Sequence, residues 1–434
     1  MKRELRPHQI RMQEYCMRTR NPKLFVDMRL GKTLVTVRTL ANASGNVLIV
    51  GPYSVMGAWR KELSAERIPW TELYGSTKNK KEVVKTLSGW VLTNKEIWRS
   101  LPEIRDMQWQ HRVIDESTFL KNPRSKVTKY FNGFLPEESD WRLTGTPNPE
   151  SDLDFFGQTM DLWKHKNYFH WRNYWFYQSG FDWKIKPSLS KEFHQILRNN
   201  CFFMTRKDIG IDVERIYETR LVKFPAAIKR IYKKLSEEFI LELPEGESWE
   251  TEFAPVKYSW LRRLCGGAIP NQNEKEHWSG KLDLLLELLN GELAGQQVVI
   301  WAHFREEIER IYAALANSGE AAYIHGSVPP SLRDPIIKAF QSGAIKWVVG
   351  QASCLAHSTD FSCADTMVYY SSTESAEIRR QSERRIEAVS KMVPSLIIDL
   401  VVEDTIDEVI VKSLKKKESR SEMTRSIVNS LKGK

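Results

Sequence analysis

The 434-residue chain, 41% hydrophobic and 28% charged, has the composition of a globular protein of two or three domains. No apolar run nears membrane-span length and no apolar signal region follows the charged N-terminus, so a cytoplasmic location is expected; five scattered cysteines without a Cys-x-x-Cys pair argue against a zinc site or a disulfide framework. The net charge of +10 favours a polyanionic partner.

In chain order, Leu24-Phe25-Val26 reads as a short buried strand and Leu34-Val35-Thr36 as the first turns of a helix, with Gly31-Lys32-Thr33 at the junction. Such a junction suits a phosphate, since free backbone N–H groups and the positive end of the helix dipole face the anion. Lys32 would reach the terminal phosphates and the Thr33 hydroxyl would sit on Mg²⁺. The usual pattern carries a glycine five positions before Gly31, where Val26 stands, so the tripeptide alone is better read as an ordinary helix start.

Asn46 to Pro52 is an apolar run stopped by Gly-Pro, a buried strand, and Ser54 to Leu63 follows as a helix. Gly89–Asn94, Arg112–Ser117 and Trp141–Pro147 are further strands, each ending in polar residues. Strands alternating with helices predict a parallel sheet over residues 1–160, with the ligand along the edge where the polar residues gather. Asp115-Glu116 ends one of those strands and could supply a metal carboxylate and a group that orients an attacking water, although acidic pairs are also common in exposed turns.

Residues 161–220 read as an aromatic-rich helical insertion. Between 163 and 183, Trp163, Tyr168, Phe169, Trp171, Tyr174, Trp175, Phe176, Tyr177, Phe181 and Trp183 alternate with Lys, His and Arg. Core packing is the preferred use of these rings and stacking on bases the other. Residues 221–290, with helices at Lys223–Leu243 and Ser279–Leu289, form a bridge. Alternation resumes over 291–411, with strands at Val298–Ala302, Ala321–Ile324, Trp347–Val349, Met367–Tyr370 and Leu396–Val402 and a helix from Ser375 to Ala388. Residues 412–434 are a basic tail containing Lys415-Lys416-Lys417, equally a solvated face or a grip on DNA.

The order of these segments resembles the Swi/Snf-type ATPases of helicase superfamily 2, in the compact form found in bacteria and phages. Leu5-Arg6-Pro7-His8-Gln9 is similar to the family's adenine-reading motif, and Ile114-Asp115-Glu116 through Lys121-Asn122-Pro123 to its Asp-Glu box. Leu143-Thr144-Gly145-Thr146-Pro147 is the best single match. Gly280-Lys281-Leu282, Ile324-His325-Gly326-Ser327-Val328 and Gln381-Ser382-Glu383-Arg384-Arg385 fit the later motifs in order. The resemblance implies two RecA-like P-loop lobes, an α/β fold of parallel sheets flanked by helices with a helical insertion and bridge between them. It implies ATP and Mg²⁺ as ligands, duplex DNA bound without sequence preference, a monomer, and a home in a bacterial or phage-infected cell.

Residue by residue, the resemblance gives Gln9 to the adenine, Arg29, Gly31, Lys32 and Thr33 to the phosphates, and Thr33 and Asp115 to the metal. Glu116 would act on the water, Asp360 near the ribose, and Gln381 and Arg385 at the γ-phosphate. Thr144 and Thr146 would couple the nucleotide site to DNA movement, with Thr93, Asn94, Lys121, Asn122 and Thr144 as candidate DNA contacts. Three positions depart from the family pattern: Arg29 and Ser358 stand where glycine is usual, and Ala388 replaces a second arginine. The expected activity is that of a DNA-dependent ATPase that translocates on duplex DNA in remodelling, branch migration, replication or repair. The rivals are a nucleotide-binding protein with little hydrolysis and a strand-separating RNA or DNA helicase.

Overall fold

The computed structural model describes residues 3–52, 55–73, 84, 87–149, 151–180, 182–211, 214–241, 254–269, 277–355, 359–387, 391 and 393–416. The chain divides into two units, Met1–Asp212 and Val213–Lys434.

The first unit is built on strands β1 (Lys23–Val26), β2 (Val47–Gly51), β3 (Trp70–Leu73), β4 (Trp90–Asn94), β5 (His111–Asp115) and β6 (Ser139–Thr144). A hairpin of β7 (Phe176–Ser179) and β8 (Asp182–Ile185) and then β9 (Phe202–Met204) complete it. The main sheet has seven strands in the order β3-β4-β2-β5-β6-β1-β9, and every pairing in it is parallel. Every residue of β1, β2 and β5 is buried, as expected where crossover helices cover both faces of a sheet. One face packs Leu48, Val50, Val91, Ile114, Trp98 and Phe131 into a continuous core. The polar residues inside β5 are matched: Arg112 donates to both Asp140 oxygens at 2.8 Å.

The insertion is not wholly helical. Helices Tyr168–Trp175 and Pro187–Asn200 flank the antiparallel β7–β8 hairpin, which Gly180 turns at φ +63, a backbone conformation that glycine adopts without strain. It also ends earlier than the composition indicated. Phe202–Met204 pairs with β1 as an edge strand of the main sheet, and Arg215–Val222 already belongs to the sheet of the second unit, so residues 202–220 are not part of the insertion.

The second unit contains β10 (Arg215–Val222), β11 (Val298–Trp301), β12 (Ala321–Ile324), β13 (Trp347–Gly350), β14 (Thr366–Tyr369) and β15 (Ser395–Val402). They form one six-stranded sheet, β10-β15-β14-β11-β13-β12, again parallel throughout. The bridge is part of this unit: helices Ala226–Leu241 and Ala254–Cys265 pack Ile228, Tyr232, Leu261 and Leu264 against Ile406 and Ile410 of helix Ile406–Lys416. The tail beyond Lys416, Phe181, Ser358 and Ala388 lie outside the described residues.

Lys281, on helix Gly280–Asn290, is completely buried, and its ammonium lies 2.5 Å from Asp407 on helix Ile406–Lys416. Burial opposes the charge, but the Asp407 carboxylate outweighs it and holds Lys281 above the usual lysine range. Breaking such a pair from one side strands a charge, whereas replacing both partners with apolar residues does not. Lys281→Met is therefore expected to destabilise the protein by about 3–5 kcal/mol in denaturant unfolding, and Lys281→Met with Asp407→Leu to recover most of the loss.

Candidate nucleotide site

The parallel sheet of the first unit brings all its strand C-termini to one edge, and the order β5-β6-β1 sets three loops side by side there. They are the loop from β1 into helix Lys32–Leu40, the turn after β5 holding Asp115 and Glu116, and the Thr144–Thr146 stretch after β6.

The first loop turns at Gly31, which caps the helix at φ +90. A side chain there is excluded twice, by the left-handed backbone and by Gln9, whose Nε2 occupies the space a Cβ would take. Gln9 sits in the first turn of helix Pro7–Arg18. It accepts from the Arg6 N–H at 3.0 Å and donates to the Leu30 carbonyl at 3.4 Å, and His8 Nε2 lies 3.2 Å from the same carbonyl. The N-terminal helix is thus clamped onto the loop at the residue before Gly31. Lys32 Nζ donates to the Val26 and Asp27 carbonyls at 2.5 and 3.2 Å, and Thr33 is half-buried in the first helical turn. Arg29 has φ +65. The chain keeps the left-handed turn that a glycine would favour while carrying a half-buried guanidinium through it.

Asp115 is buried at the end of β5. Trp59 Nε1 donates to its Oδ2 at 2.8 Å and the Glu116 N–H to its Oδ1 at 2.9 Å. Burial, and then the neighbouring Glu116 charge, push its carboxyl up to about 6 against the pull of Lys32. A buried carboxylate held by neutral donors fits a cation, and one carboxylate with one hydroxyl, Thr33, is the sparse oxygen set that Mg²⁺ takes when phosphates complete its shell. Among the described residues no group of three His, Cys, Asp or Glu could hold a metal unaided.

Glu116 has φ 49 and ψ 49, a strained setting for a side chain of this size that re-aims the residue out of the strand. Its Oε2 accepts from Thr144 Oγ1 at 3.5 Å. Thr144 Oγ1 lies 2.7 Å from Thr118 Oγ1 and accepts from the Thr146 N–H at 3.1 Å, and Thr118 Oγ1 donates to the Thr146 carbonyl at 2.7 Å. A buried chain of hydroxyls therefore runs from Glu116 to Thr146. Thr118, its centre, was missed in the sequence because a threonine in a short turn after an acidic pair carries no signal of its own.

The candidate DNA contacts divide. Thr144 has no exposed surface and Thr93 is 1% exposed, so neither hydroxyl faces solvent, and Thr144 belongs to the hydroxyl chain instead. Asn94 Oδ1 caps helix Lys95–Ser100 by accepting from the Ile97 N–H at 2.8 Å. Asn122 is exposed and accepts from the Arg124 N–H at 3.0 Å, beside half-buried Lys121.

In the second unit Asp360 is exposed, with Oδ1 accepting from Ser362 N and Oγ at 3.0 and 2.7 Å. Gln381 and Arg385 are both buried. Arg385 Nε donates to the Gln381 carbonyl at 3.0 Å, as their one-turn spacing predicts, and Gln381 Oε1 is buried with no hydrogen-bond partner among the described residues. Gln381 lies on helix Ala376–Glu383, which ends two residues before Arg385 rather than at Ala388, and Arg379 ties that helix to the sheet: its guanidinium donates to Asp399 on β15 at 2.6 and 3.1 Å and to Glu383 at 2.6 Å, and stacks 3.5 Å from the Tyr369 ring centroid.

Residues 8–268 match the family described as the SNF2-related domain, and residues 280–387 match the helicase conserved C-terminal domain. The chain is 26% identical over 349 residues to putative protein p41 of Acyrthosiphon pisum secondary endosymbiont phage 1, covering 71% of this chain and 74% of that one. It is 25% identical over 434 residues to the chromodomain-helicase-DNA-binding protein 1-like of Danio rerio, covering 91% of this chain and 41% of that protein. The chain thus matches only about two-fifths of that vertebrate relative's length. The SWI2/SNF2 ATPase core of Sulfolobus solfataricus, solved in complex with dsDNA, aligns over 99% of this chain and 94% of that one, at 18% identity and a TM-score of 0.45.

Asp115 titrates near 6 in the folded protein and near 3.8 when unfolded, so its ionisation costs stability, fully above pH 6 and not at all below 3.8. Glu116→Gln removes the like charge beside it. The ligand-free variant is expected to melt roughly 2–4 °C higher than wild type at pH 8, for about 1 kcal/mol, with the difference shrinking as pH falls through 6 to 4.

Proposed function

The chain belongs to the SNF2-related family of helicase-like ATPases, and on that premise we propose that it is a DNA-dependent ATPase that moves along duplex DNA. The observation that carries this reading is the alignment of Lys32, Asp115, Glu116 and Thr144 along one edge of one parallel sheet, with a hydroxyl chain leading away from Glu116. DNA as the partner is supported by the net charge of +10 and by the DNA binding named for the vertebrate relative.

In this reading Gln9 hydrogen-bonds the adenine edge, and the phosphates lie on the N–H groups of Gly31, Lys32 and Thr33. Lys32 exchanges the carbonyls of Val26 and Asp27 for phosphate oxygens, which frees the strand end it now holds. Asp115 and Thr33 would hold Mg²⁺, which would neutralise phosphate charge when bound. Glu116 orients a water on the γ-phosphorus and takes its proton as the bond to the β-phosphate oxygen breaks and ADP leaves. Thr118 passes the loss of the γ-phosphate from Glu116 through Thr144 to the Thr146 loop, and the turn of half-buried Lys121 and exposed Asn122 holds a DNA phosphate.

The test is ATP hydrolysis with and without duplex DNA. Strong stimulation is expected, with Lys32→Ala and Glu116→Gln each lowering kcat at least about a hundredfold. No turnover above these variants, with DNA binding intact, would contradict the motor and leave a nucleotide-bound DNA-binding protein. Stimulation by RNA in preference to duplex DNA would make it an RNA helicase instead.

Thr118→Val keeps the shape of the threonine and removes its hydroxyl. Basal hydrolysis and the KM for ATP are expected to hold while stimulation by duplex DNA falls, and Thr118→Ser is expected to restore it. Equal loss of basal and stimulated rates would show that the hydroxyl only supports the fold.

A further inference from the structure

The aromatic block of the insertion divides into two populations. Trp163, Trp171, Trp175 and Phe176 are buried with Phe193 in a core, Trp163 stacking on Phe193 at 4.9 Å and 18°. Phe169 stays 47% exposed, next to half-buried Tyr168 at 5.7 Å between ring centroids. Two guanidiniums lie on this outer group: Arg172 is 5.5 Å from the Phe169 centroid and 3.7 Å from that of half-buried Trp183, and Arg124 is 5.5 Å from Phe169.

Among the described residues neither guanidinium is paired with a carboxylate. Arg172 donates only to the neutral Asn173 Oδ1, at 3.4 and 3.3 Å. Elsewhere in the same unit Lys23, Arg38 and Arg112 each meet an acid at 2.6 to 2.8 Å. Residues 161–200 carry seven lysines and arginines against three acids, so the surroundings do not neutralise the pair either. A ring face in water with uncompensated cations beside it is a surface complementary to flat, anionic ligands.

We propose that Arg124, Tyr168, Phe169 and Arg172 form a binding surface for single-stranded nucleic acid, with unpaired bases stacking on Phe169 and phosphates on Arg124 and Arg172. A duplex buries its base faces within its own stack and gives the rings nothing to cover; a single strand supplies both a π-face and a phosphate for each nucleotide. The surface is continuous in sequence with the exposed turn at Asn122, which accepts from the Arg124 N–H, so a strand held here would leave a duplex near that turn. This goes beyond the duplex-translocase reading and does not require hydrolysis.

The test is fluorescence anisotropy on the full chain without nucleotide, using a labelled oligothymidylate and a blunt duplex of equal length. Phe169→Ala is expected to weaken oligothymidylate binding roughly tenfold and leave blunt-duplex binding unchanged, while Phe169→Trp retains both. Arg124→Gln with Arg172→Gln is expected to flatten the salt dependence of oligothymidylate binding by the loss of two phosphate contacts. Equal weakening of both probes by Phe169→Ala, or no change in either, would overturn the proposal, as would a wild-type protein that does not bind oligothymidylate.

Discussion

The structure of the first unit turns on a carboxylate that has been taken out of water. Asp115 ends a strand buried along its whole length, and two neutral N–H donors are its direct hydrogen-bond partners. The nearby Lys32 charge lowers its cost without removing it, so the carboxyl remains near 6. That cost is tolerable in a site that receives a cation with its ligand, and it explains why the surrounding geometry is so constrained. Trp59 must point its indole at one oxygen, Glu116 must take a left-handed backbone, and Gly31 must leave room for Gln9.

The same edge sets the residues after β6 beside the acidic turn. β6 lies between β5 and β1, so the residues after it stand between the acidic turn and the phosphate loop. Thr144 is caught there with no exposed surface, and Thr118 joins it to the Thr146 carbonyl. In the second unit, comparable polar residues serve as internal ties. Lys281 is locked to Asp407, and Arg379 fastens the helix bearing Gln381 to β15. Such buried pairs are weak evidence for stability but leave few alternatives for the groups they position.

What could be read from the sequence follows from burial. The central strands β1, β2, β11, β13 and β14 are buried and appear as mostly apolar runs. The strands of the two main sheets that escaped notice, β3, β9 and β10, all lie at sheet edges, where half-exposed residues such as those of Arg215–Val222 mix polar and apolar side chains. Gly31-Lys32-Thr33 pointed to a phosphate loop only in company with the other motifs, because Val26 stands where the usual pattern has its first glycine, and Arg29 is a further departure. The backbone nonetheless keeps the turn, with Arg29 at φ +65. Thr118 was not legible at all: its importance lies in three neighbours brought together by the fold. The aromatic block was legible as a core, and its outer rings only from their exposure.

The central claim is that hydrolysis at this edge drives motion along duplex DNA. The most direct measurement is displacement of a labelled third strand from a DNA triplex, since a protein that moves along the duplex strips the third strand without separating the duplex itself. The account predicts displacement that requires both ATP and Mg²⁺ and disappears in Glu116→Gln. ATP hydrolysis stimulated by the duplex with the triplex left intact would contradict it.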